Sequence, residues 1–296
     1  MSSKHIVRVG AFCVVSLVAC GGSDGDDGGS GSGTGALPKD GVKEATIHAL
    51  NTKGGEGPKW GFQAAFIQGR VSSHGEECTT DTVDACTIRL CKEGNLPNPE
   101  VPHVYLGAGP ITLTGARLPA HEFRAINRVA GNQSSVLPGD PAIYWDGGED
   151  IRVAAGGQPD GVPGFETTLK APSFVTVTNS IFTEPRFALD TTKDFEVTWT
   201  HEGAGSGQTV VRFGQSADVG IKYVSQVASC TFPASSDRGT IPASVLQRLK
   251  PFLEASLSIT AIEKRTVTAG DWNVEVELGS RTGAGEKPGE YAVNFN

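Results

Sequence analysis

The chain is dominated by short runs in which apolar and polar residues alternate. In the clearest example, Phe195, Val197 and Trp199 alternate with Glu196 and Thr198. Successive side chains of a strand point to opposite faces, so this period of two predicts a strand with one buried face. Similar runs predict strands in residues 60–71, 85–90, 111–115, 142–145, 151–155, 165–169, 174–178, 209–213, 221–228, 257–262, 272–278 and 291–295.

The spacing of these runs indicates the fold class. Many short strands separated by Gly and Pro are typical of antiparallel β-sandwiches. We therefore predict an all-β chain with two antiparallel β-sandwich units, immunoglobulin-like or jelly-roll-like. The units are expected in residues 42–182 and 183–296, on either side of a linker near Glu184 and Pro185.

One short helix is expected in the second unit, over Ile241–Leu249. Thr240 suits the N-cap, Pro242 suits an early helical position, and Pro251 would end the helix. A weaker helical pattern covers residues 122–129.

The N-terminus has the composition of an export signal. Lys4 and Arg8 precede an apolar run from Val9 to Val18, which is followed by Ala19 and Cys20. The run of about ten residues is too short for a membrane-spanning helix, which needs about 20. The segment Leu-Val-Ala-Cys resembles the lipobox of bacterial lipoproteins. The alternatives are an ordinary secretory signal and a buried N-terminal helix.

The lipobox resemblance implies a specific maturation. Residues 1–19 would be removed, and Cys20 would become an N-terminus carrying covalent diacylglycerol and acyl lipid. Gly21 and Gly22 follow the cysteine where the enterobacterial inner-membrane signal has Asp. By that resemblance the outer membrane is favoured over the inner one. Whether the protein faces the periplasm or the outside stays open.

Residues 20–41 are expected to act as a tether. Residues 21–36 contain Gly, Ser, Asp, Thr and Ala only, so they cannot form an apolar core. A flexible chain of this length has a root-mean-square reach of roughly 20–24 Å. The acidic residues in the tether do not follow the spacing of an EF-hand calcium loop.

The charge balance excludes some partners. The chain holds 25 basic and 33 acidic residues, a formal net charge of −8. Removing residues 1–19, which carry two basic and no acidic residues, would take this value to −10. An acidic chain without a basic run is unsuited to nucleic acid. The expected partners are the membrane, through the lipid, and a protein or glycan. No cofactor is expected besides the lipid.

Four cysteines remain outside the signal and the lipobox: Cys78, Cys86, Cys91 and Cys230. In an exported chain they predict two disulfides, for which three connectivities exist. Their spacings do not resemble the close pairs of a zinc site, so no metal is expected. Residues 79–82 look like a turn, which favours a Cys78–Cys86 bridge and leaves Cys91 to pair with Cys230.

No catalytic motif is found. Ser206 lacks both flanking glycines of a G-x-S-x-G elbow, and Ser216 has only the first, Gly214, with Asp218 at the other position. His121-Glu122 is not followed by the second histidine of H-E-x-x-H. The chain is therefore not expected to be an enzyme, although acidic pairs assembled by the fold could still support hydrolysis.

The most suggestive ligand-binding segment is Tyr144-Trp145-Asp146, followed after two glycines by Glu149. The aromatic rings could stack on a sugar, and the carboxylates could bind its hydroxyls or a calcium ion. The favoured alternative is a strand end in which the rings join the core and the acids face solvent.

The C-terminal half has a further resemblance. It is carried by Val162-Pro-Gly-Phe, Leu169-Lys-Ala-Pro, the run from Asp194 to Thr200, the segment from Cys230 to Leu246, and Ala269-Gly-Asp-Trp. This layout resembles secreted, myxobacterial-type lipoproteins of unknown function. The resemblance implies a β architecture and a lipid anchor, and it implies no activity.

Three function classes follow for a lipid-anchored envelope protein. The first is a surface or periplasmic binding or adhesion module. The second is a structural envelope component that binds through its sheet edges, and the third is a hydrolase. An exposed aromatic group on one sheet face would favour the first class, and an uncovered edge strand the second.

Overall fold

The computed structural model describes residues 43–54, 60–69, 78–95, 103–115, 121–123, 133–135, 144–179, 186–203, 207–219, 222–249, 255–283 and 290–295. All of them belong to one compact unit, Leu37–Asn296. The expected signal segment, Cys20 and the tether lie outside the described residues.

Within these ranges the chain forms nineteen strands and one short helix, which confirms the all-β prediction. The strands are β1 Lys43–Lys53, β2 Trp60–Gly69, β3 Cys78–Val83, β4 Cys86–Asn95, β5 His103–Tyr105, β6 Ile111–Thr114, β7 His121–Phe123, β8 Gln133–Ser135, β9 Asp150–Ala155, β10 Phe165–Lys170, β11 Phe174–Val177, β12 Arg186–Leu189, β13 Phe195–Glu202, β14 Gln208–Val219, β15 Lys222–Phe232, β16 Arg238–Ile241, β17 Ala255–Ala269, β18 Trp272–Thr282 and β19 Glu290–Phe295. The helix is α1, Ala243–Leu246.

The strands form one large sheet and two small ones. The twelve-stranded sheet runs in the order β3-β4-β15-β14-β17-β18-β1-β2-β5. In it, β8 also pairs with β2, and β19 joins β17 to β12. The four-stranded sheet has the order β10-β9-β6-β7, and the three-stranded sheet has the order β11-β13-β16. Most pairs are antiparallel, but β1 lies parallel to β18 and β12 lies parallel to β19.

Each small sheet shares a hydrophobic core with a different part of the large sheet. The first core joins β1, β2 and β18 to the four-stranded sheet, with Trp272 and Phe66 among its largest side chains. The second joins β4, β14, β15, β17 and β19 to the three-stranded sheet and α1, with Trp199 and Phe213 among its largest side chains.

The alternation that predicts the strands also fixes their inner faces. In β13 the even-numbered Glu196 and Thr198 point away from the core, whereas Phe195, Val197 and Trp199 are buried. Burial of such side chains is the main favourable contribution to folding, at roughly 1.5–3 kcal/mol for each large apolar group.

The predicted boundary between the two units lies at residue 182, within residues 180–185, which are outside the described ranges. Strands from both sides of this position pair in the large sheet: β4 pairs with β15, and β1 pairs with β18. The division into two domains stays a prediction.

All four predicted cysteines form disulfides, but the predicted pairing is wrong. The bonds join Cys78 to Cys91 and Cys86 to Cys230. The hairpin loop lies at Asp84 and Ala85, not at residues 79–82, which belong to β3. With the loop there, Cys78 stands opposite Cys91 on the neighbouring strand.

The helix is shorter than predicted. Thr240 and Ile241 still belong to β16, and Pro242 takes the N-cap position without a side-chain cap bond. The Asp194 carboxylate accepts a hydrogen bond from the Ala243 N–H instead (2.8 Å). The weaker helical pattern is also wrong at its start, where His121–Phe123 forms β7, and its remainder lies outside the described residues.

Candidate functional site

The two aromatic residues nominated for ligand contact lie in the first hydrophobic core. Tyr144 is 3% exposed and Trp145 is fully buried. The Trp145 ring Nε1–H donates to the Ser280 hydroxyl (2.6 Å), which donates to the Pro172 carbonyl (2.9 Å). A buried indole needs such a partner for its N–H group. Stacking on a sugar would require this ring to leave the core.

Asn51, on β1, forms a hydrogen bond to the same segment. Its Nδ2 group donates to the Trp145 carbonyl at 2.9 Å, and the Asn51 side chain is fully buried. Buried polar side chains are tolerated when they are hydrogen-bonded in this way. The hydrogen bonds from Asn51 and to Ser280 therefore hold Trp145 in the core, where it offers no surface to a ligand.

The two nominated acids have different roles in the turn after Trp145. Both Glu149 carboxylate oxygens accept backbone N–H bonds, one from Asp146 and one from Gly147, each at 2.7 Å. Asp146 itself is exposed. The structure thus brings all four nominated residues together, with the rings in the core and Glu149 closing a turn.

A cluster of polar side chains links β1, β11, β13 and β18 near the ends of these strands. Lys53 forms an ion pair with Glu202, whose other carboxylate oxygen accepts the Thr176 hydroxyl (3.0 Å). The Thr176 hydroxyl oxygen in turn accepts a hydrogen bond from the Thr282 hydroxyl (3.1 Å). The Lys53 hydrogen bond, against the opposing effect of desolvation, lowers the pKa of Glu202. These contacts link the three-stranded sheet to the large sheet.

A second charged group lies on the face of the large sheet opposite to its cores. His48 and Glu277 occupy paired positions on β1 and β18, and their side chains approach to 3.4 Å. Burial raises the pKa of Glu277, but the hydrogen bond from His48 and the charges of His48, Lys264 and Arg212 outweigh it and lower that pKa.

One end of the large sheet is an exposed edge, which we call the β3 edge and define as residues 79–82. All four residues are exposed, and among the described strands β3 pairs only with β4. Edge strands present a row of backbone donors and acceptors that can pair with another chain. The β3 edge is thus a described surface suited to binding a polypeptide.

Two disulfides hold the β3 edge in place. Cys78–Cys91 joins the start of β3 to β4, and Cys86–Cys230 joins β4 to β15. Asp81 is the only charged residue of β3, and its carboxylate accepts a hydrogen bond from Arg248 Nη1 at 2.8 Å. The edge is thus held by two covalent bonds, and its one carboxylate is paired with Arg248.

Sequence reasoning missed this surface because it assigned residues 79–82 to a turn. A signal was present, since Thr79, Thr80 and Thr82 are β-branched residues that favour strands over turns. The turn itself requires a positive φ of 50° at Asp84, a residue type that tolerates this conformation.

In the part of the chain that the structure describes, no cluster of three or more His, Cys, Asp or Glu side chains is placed to hold a metal ion. The same residues include no helix with the length and apolarity needed to span a membrane. No protein-family model and no curated protein matches this chain.

Proposed function

We propose that this protein is a lipid-anchored module of the bacterial cell envelope that binds a protein partner through the β3 edge. The observation that carries the binding role is the exposed edge strand at the end of the large sheet, held by two disulfides. Strand addition to such an edge is a common way to bind an extended polypeptide, because main-chain hydrogen bonds supply the affinity.

The lipid anchor is supported by the sequence from Leu17 to Cys20 and by the compartment that the cysteines require. Disulfides form and persist in oxidising compartments such as the bacterial periplasm. Two disulfides in the described fold therefore agree with export. The glycines after Cys20 favour the outer membrane, and residues 21–36 would hold the folded part roughly 20–24 Å from the anchor.

A protein partner fits the described surface better than a glycan. Glycan-binding surfaces commonly use exposed aromatic rings, as ligand sites in general rely on aromatic side chains. Every aromatic side chain whose burial the structure describes is buried, except Phe295, which is half-buried. The described surface therefore provides no aromatic platform for a sugar.

The anchor is tested by Cys20→Ser, with Cys13→Ser as the matched control within the expected signal. We expect Cys20→Ser to lose metabolic palmitate labelling and membrane retention, because the acylated sulfur is gone. Cys13→Ser should keep both. Normal labelling and retention of Cys20→Ser would refute the anchor.

The binding role is tested by photo-cross-linking from the edge. The full chain carrying Thr80→Cys is coupled to a benzophenone reagent in isolated envelopes, and Thr240→Cys, an exposed threonine on β16, is the control. Covalent adducts are identified by mass spectrometry. We expect an adduct with one defined protein from position 80 and none from position 240. Equal, unspecific labelling from both positions would contradict a role for the β3 edge.

A further inference from the structure

We propose that the partner of the β3 edge is the β3 edge of a second copy of this chain, paired antiparallel about Thr80. This inference rests on the proposed function, because it names the partner of the same surface. The pairing would continue the large sheet of one copy into that of the other across a two-fold axis.

The backbone groups of β3 that point away from β4 can be assigned from its neighbours. The Thr231 N–H on β15 donates to the Ala85 carbonyl (2.9 Å), so odd-numbered residues at the start of β4 direct their backbone groups toward β15. In an antiparallel ladder the alternate residues then face β3, beginning with Cys86, which is paired with Val83. The odd-numbered residues of β3 consequently face β4. Its even-numbered residues, including Thr80 and Thr82, turn their N–H and C=O groups toward the open edge.

This alternation restricts how two copies can pair. Hydrogen-bonded positions must join even-numbered residues of both strands. A pairing centred on Thr80 places Thr80 opposite its counterpart and Thr82 opposite Cys78 on both sides of the axis. It also places Asp81 opposite Thr79 of the other copy, a pairing without like charges.

The alternative register, in which the two strands pair about Asp81 instead of Thr80, is unfavourable. A pairing centred on Asp81 would set two Asp81 carboxylates directly opposite each other, which destabilises a sheet. The sequence of β3 therefore favours the register centred on Thr80.

Charge favours a second copy over a strongly charged partner segment. Arg248 already pairs with Asp81, so the edge has no net charge to attract a basic or an acidic strand. The segment that matches an uncharged edge rich in β-branched residues is another strand of the same kind, and β3 itself is one.

The proposed lipid anchor would assist this pairing. The pairing joins two strands of six residues each, so the interface is small, and small interfaces are weak in solution. Anchoring two copies in one membrane on short tethers raises their effective concentration, which compensates for weak intrinsic affinity. We therefore expect the dimer in membranes and little of it in dilute solution.

Disulfide cross-linking tests the pairing in the full chain within isolated envelopes. Residue 80 meets its own counterpart on the axis, at a spacing of about 5.5 Å between Cα atoms, which a disulfide can span. After mild oxidation we expect about tenfold more covalent dimer from Thr80→Cys than from Thr240→Cys. Peptide mapping confirms that Cys78–Cys91 and Cys86–Cys230 remain intact. Equal dimer yields from the two positions would overturn the inference.

Two further pairs of variants test the hydrogen bonds and the register, read as energy transfer between labelled full-length copies in vesicles. Thr80→Pro removes an N–H group that faces the open edge and spares the bonds to β4, so it should abolish transfer, whereas Thr80→Val should retain it. Thr79→Asp places a carboxylate opposite Asp81 of the other copy and should weaken transfer, whereas Thr79→Lys should not. Unchanged transfer in Thr80→Pro and Thr79→Asp would refute the pairing.

The outcomes separate this inference from the proposed function. A photo-adduct from residue 80 with a different protein would support the proposed function and overturn self-pairing. Retained palmitate labelling of Cys20→Ser would refute the anchor without deciding the pairing, because positions 80 and 240 are compared in the same anchored or unanchored chain.

Discussion

Cys86 and Cys230 face each other across β4 and β15, with their Cα atoms 3.9 Å apart and both side chains fully buried. This spacing belongs to the close, non-hydrogen-bonded type of antiparallel pair. The bond spans 144 residues of sequence and fixes the β3–β4 hairpin to a strand from the C-terminal half of the chain. It thus holds the hairpin whose first strand forms the β3 edge.

The two disulfides should differ in their contribution to stability. In the chain-entropy model, closing the 144-residue loop stabilises the fold by about 5 kcal/mol, and closing the 13-residue Cys78–Cys91 loop stabilises it by about 3 kcal/mol. We therefore expect the pair Cys86→Ala and Cys230→Ala to lower the free energy of unfolding more than the pair Cys78→Ala and Cys91→Ala. Guanidinium unfolding followed by tryptophan fluorescence measures both values.

The disulfide that contributes less to stability, Cys78–Cys91, should be the first to be reduced. Cys78 is half-buried, whereas Cys86 and Cys230 are fully enclosed, so a mild phosphine reductant should open Cys78–Cys91 first. Alkylation and peptide mapping after brief treatment report the order. Prior loss of the Cys86–Cys230 bond would contradict the burial described for it.

Trp145 should contribute to stability rather than to ligand binding. Trp145→Ala empties a fully buried site and should lower the free energy of unfolding by about 3–5 kcal/mol. Trp145→Phe keeps an aromatic ring but removes the hydrogen bond to Ser280, and it should cost less, about 1–2 kcal/mol. If Trp145→Ala left stability unchanged while abolishing binding of a sugar, the ring would have to be reassigned to a ligand site.

Glu149 should stabilise the turn that follows Trp145. Its two oxygens accept N–H bonds from Asp146 and Gly147, and charged acceptors form the stronger backbone bonds. We expect Glu149→Ala to lower the free energy of unfolding by about 1–2 kcal/mol. Glu149→Gln keeps one acceptor oxygen and should lose about half as much. Chemical denaturation of both variants checks this order.

Much of the fold follows from the sequence because alternation reports the buried face of each strand directly. Val274 and Val276 of β18 are fully buried, as the pattern Trp-Asn-Val-Glu-Val-Glu-Leu predicts. Alternation contains no information about which strand lies beside which. The pairing of β4 with β15, and the parallel pairing of β1 with β18, join segments far apart in sequence and could not be predicted from local patterns.

The errors at the candidate sites have the same origin. The disulfide pairing depended on the position of a hairpin loop, and the loop lies two residues after the predicted turn, at Asp84 and Ala85. The role of Trp145 depended on Ser280 and Asn51, which approach it only in the folded chain. Local sequence can nominate a residue type for a site, but its neighbours decide between core and surface.

The last prediction concerns Asp190, in the turn between β12 and β13. Its carboxylate accepts bonds from Lys193 Nζ (2.8 Å), from the Thr192 hydroxyl (2.6 Å) and from the Thr192 N–H (3.0 Å). Together these bonds lower the pKa of Asp190 from 3.8 to about 2, with Lys193 as the largest cause. A carboxyl with a lowered pKa favours the fold above its ordinary pKa. That contribution is therefore complete above about pH 4 and is lost as the pH falls toward 2.

Carbon-detected NMR titration of the Asp190 carboxyl tests this assignment. Lys193→Met and Thr192→Ala should each raise the pKa of Asp190 toward its ordinary value, because each removes a bond to the ionised form. The matched control is Lys170→Met, which removes the lysine paired with Asp150 on the neighbouring strand and should leave the titration of Asp190 unchanged. A midpoint near 3.8 in the unmodified protein would show that these three bonds do not hold the carboxylate in solution.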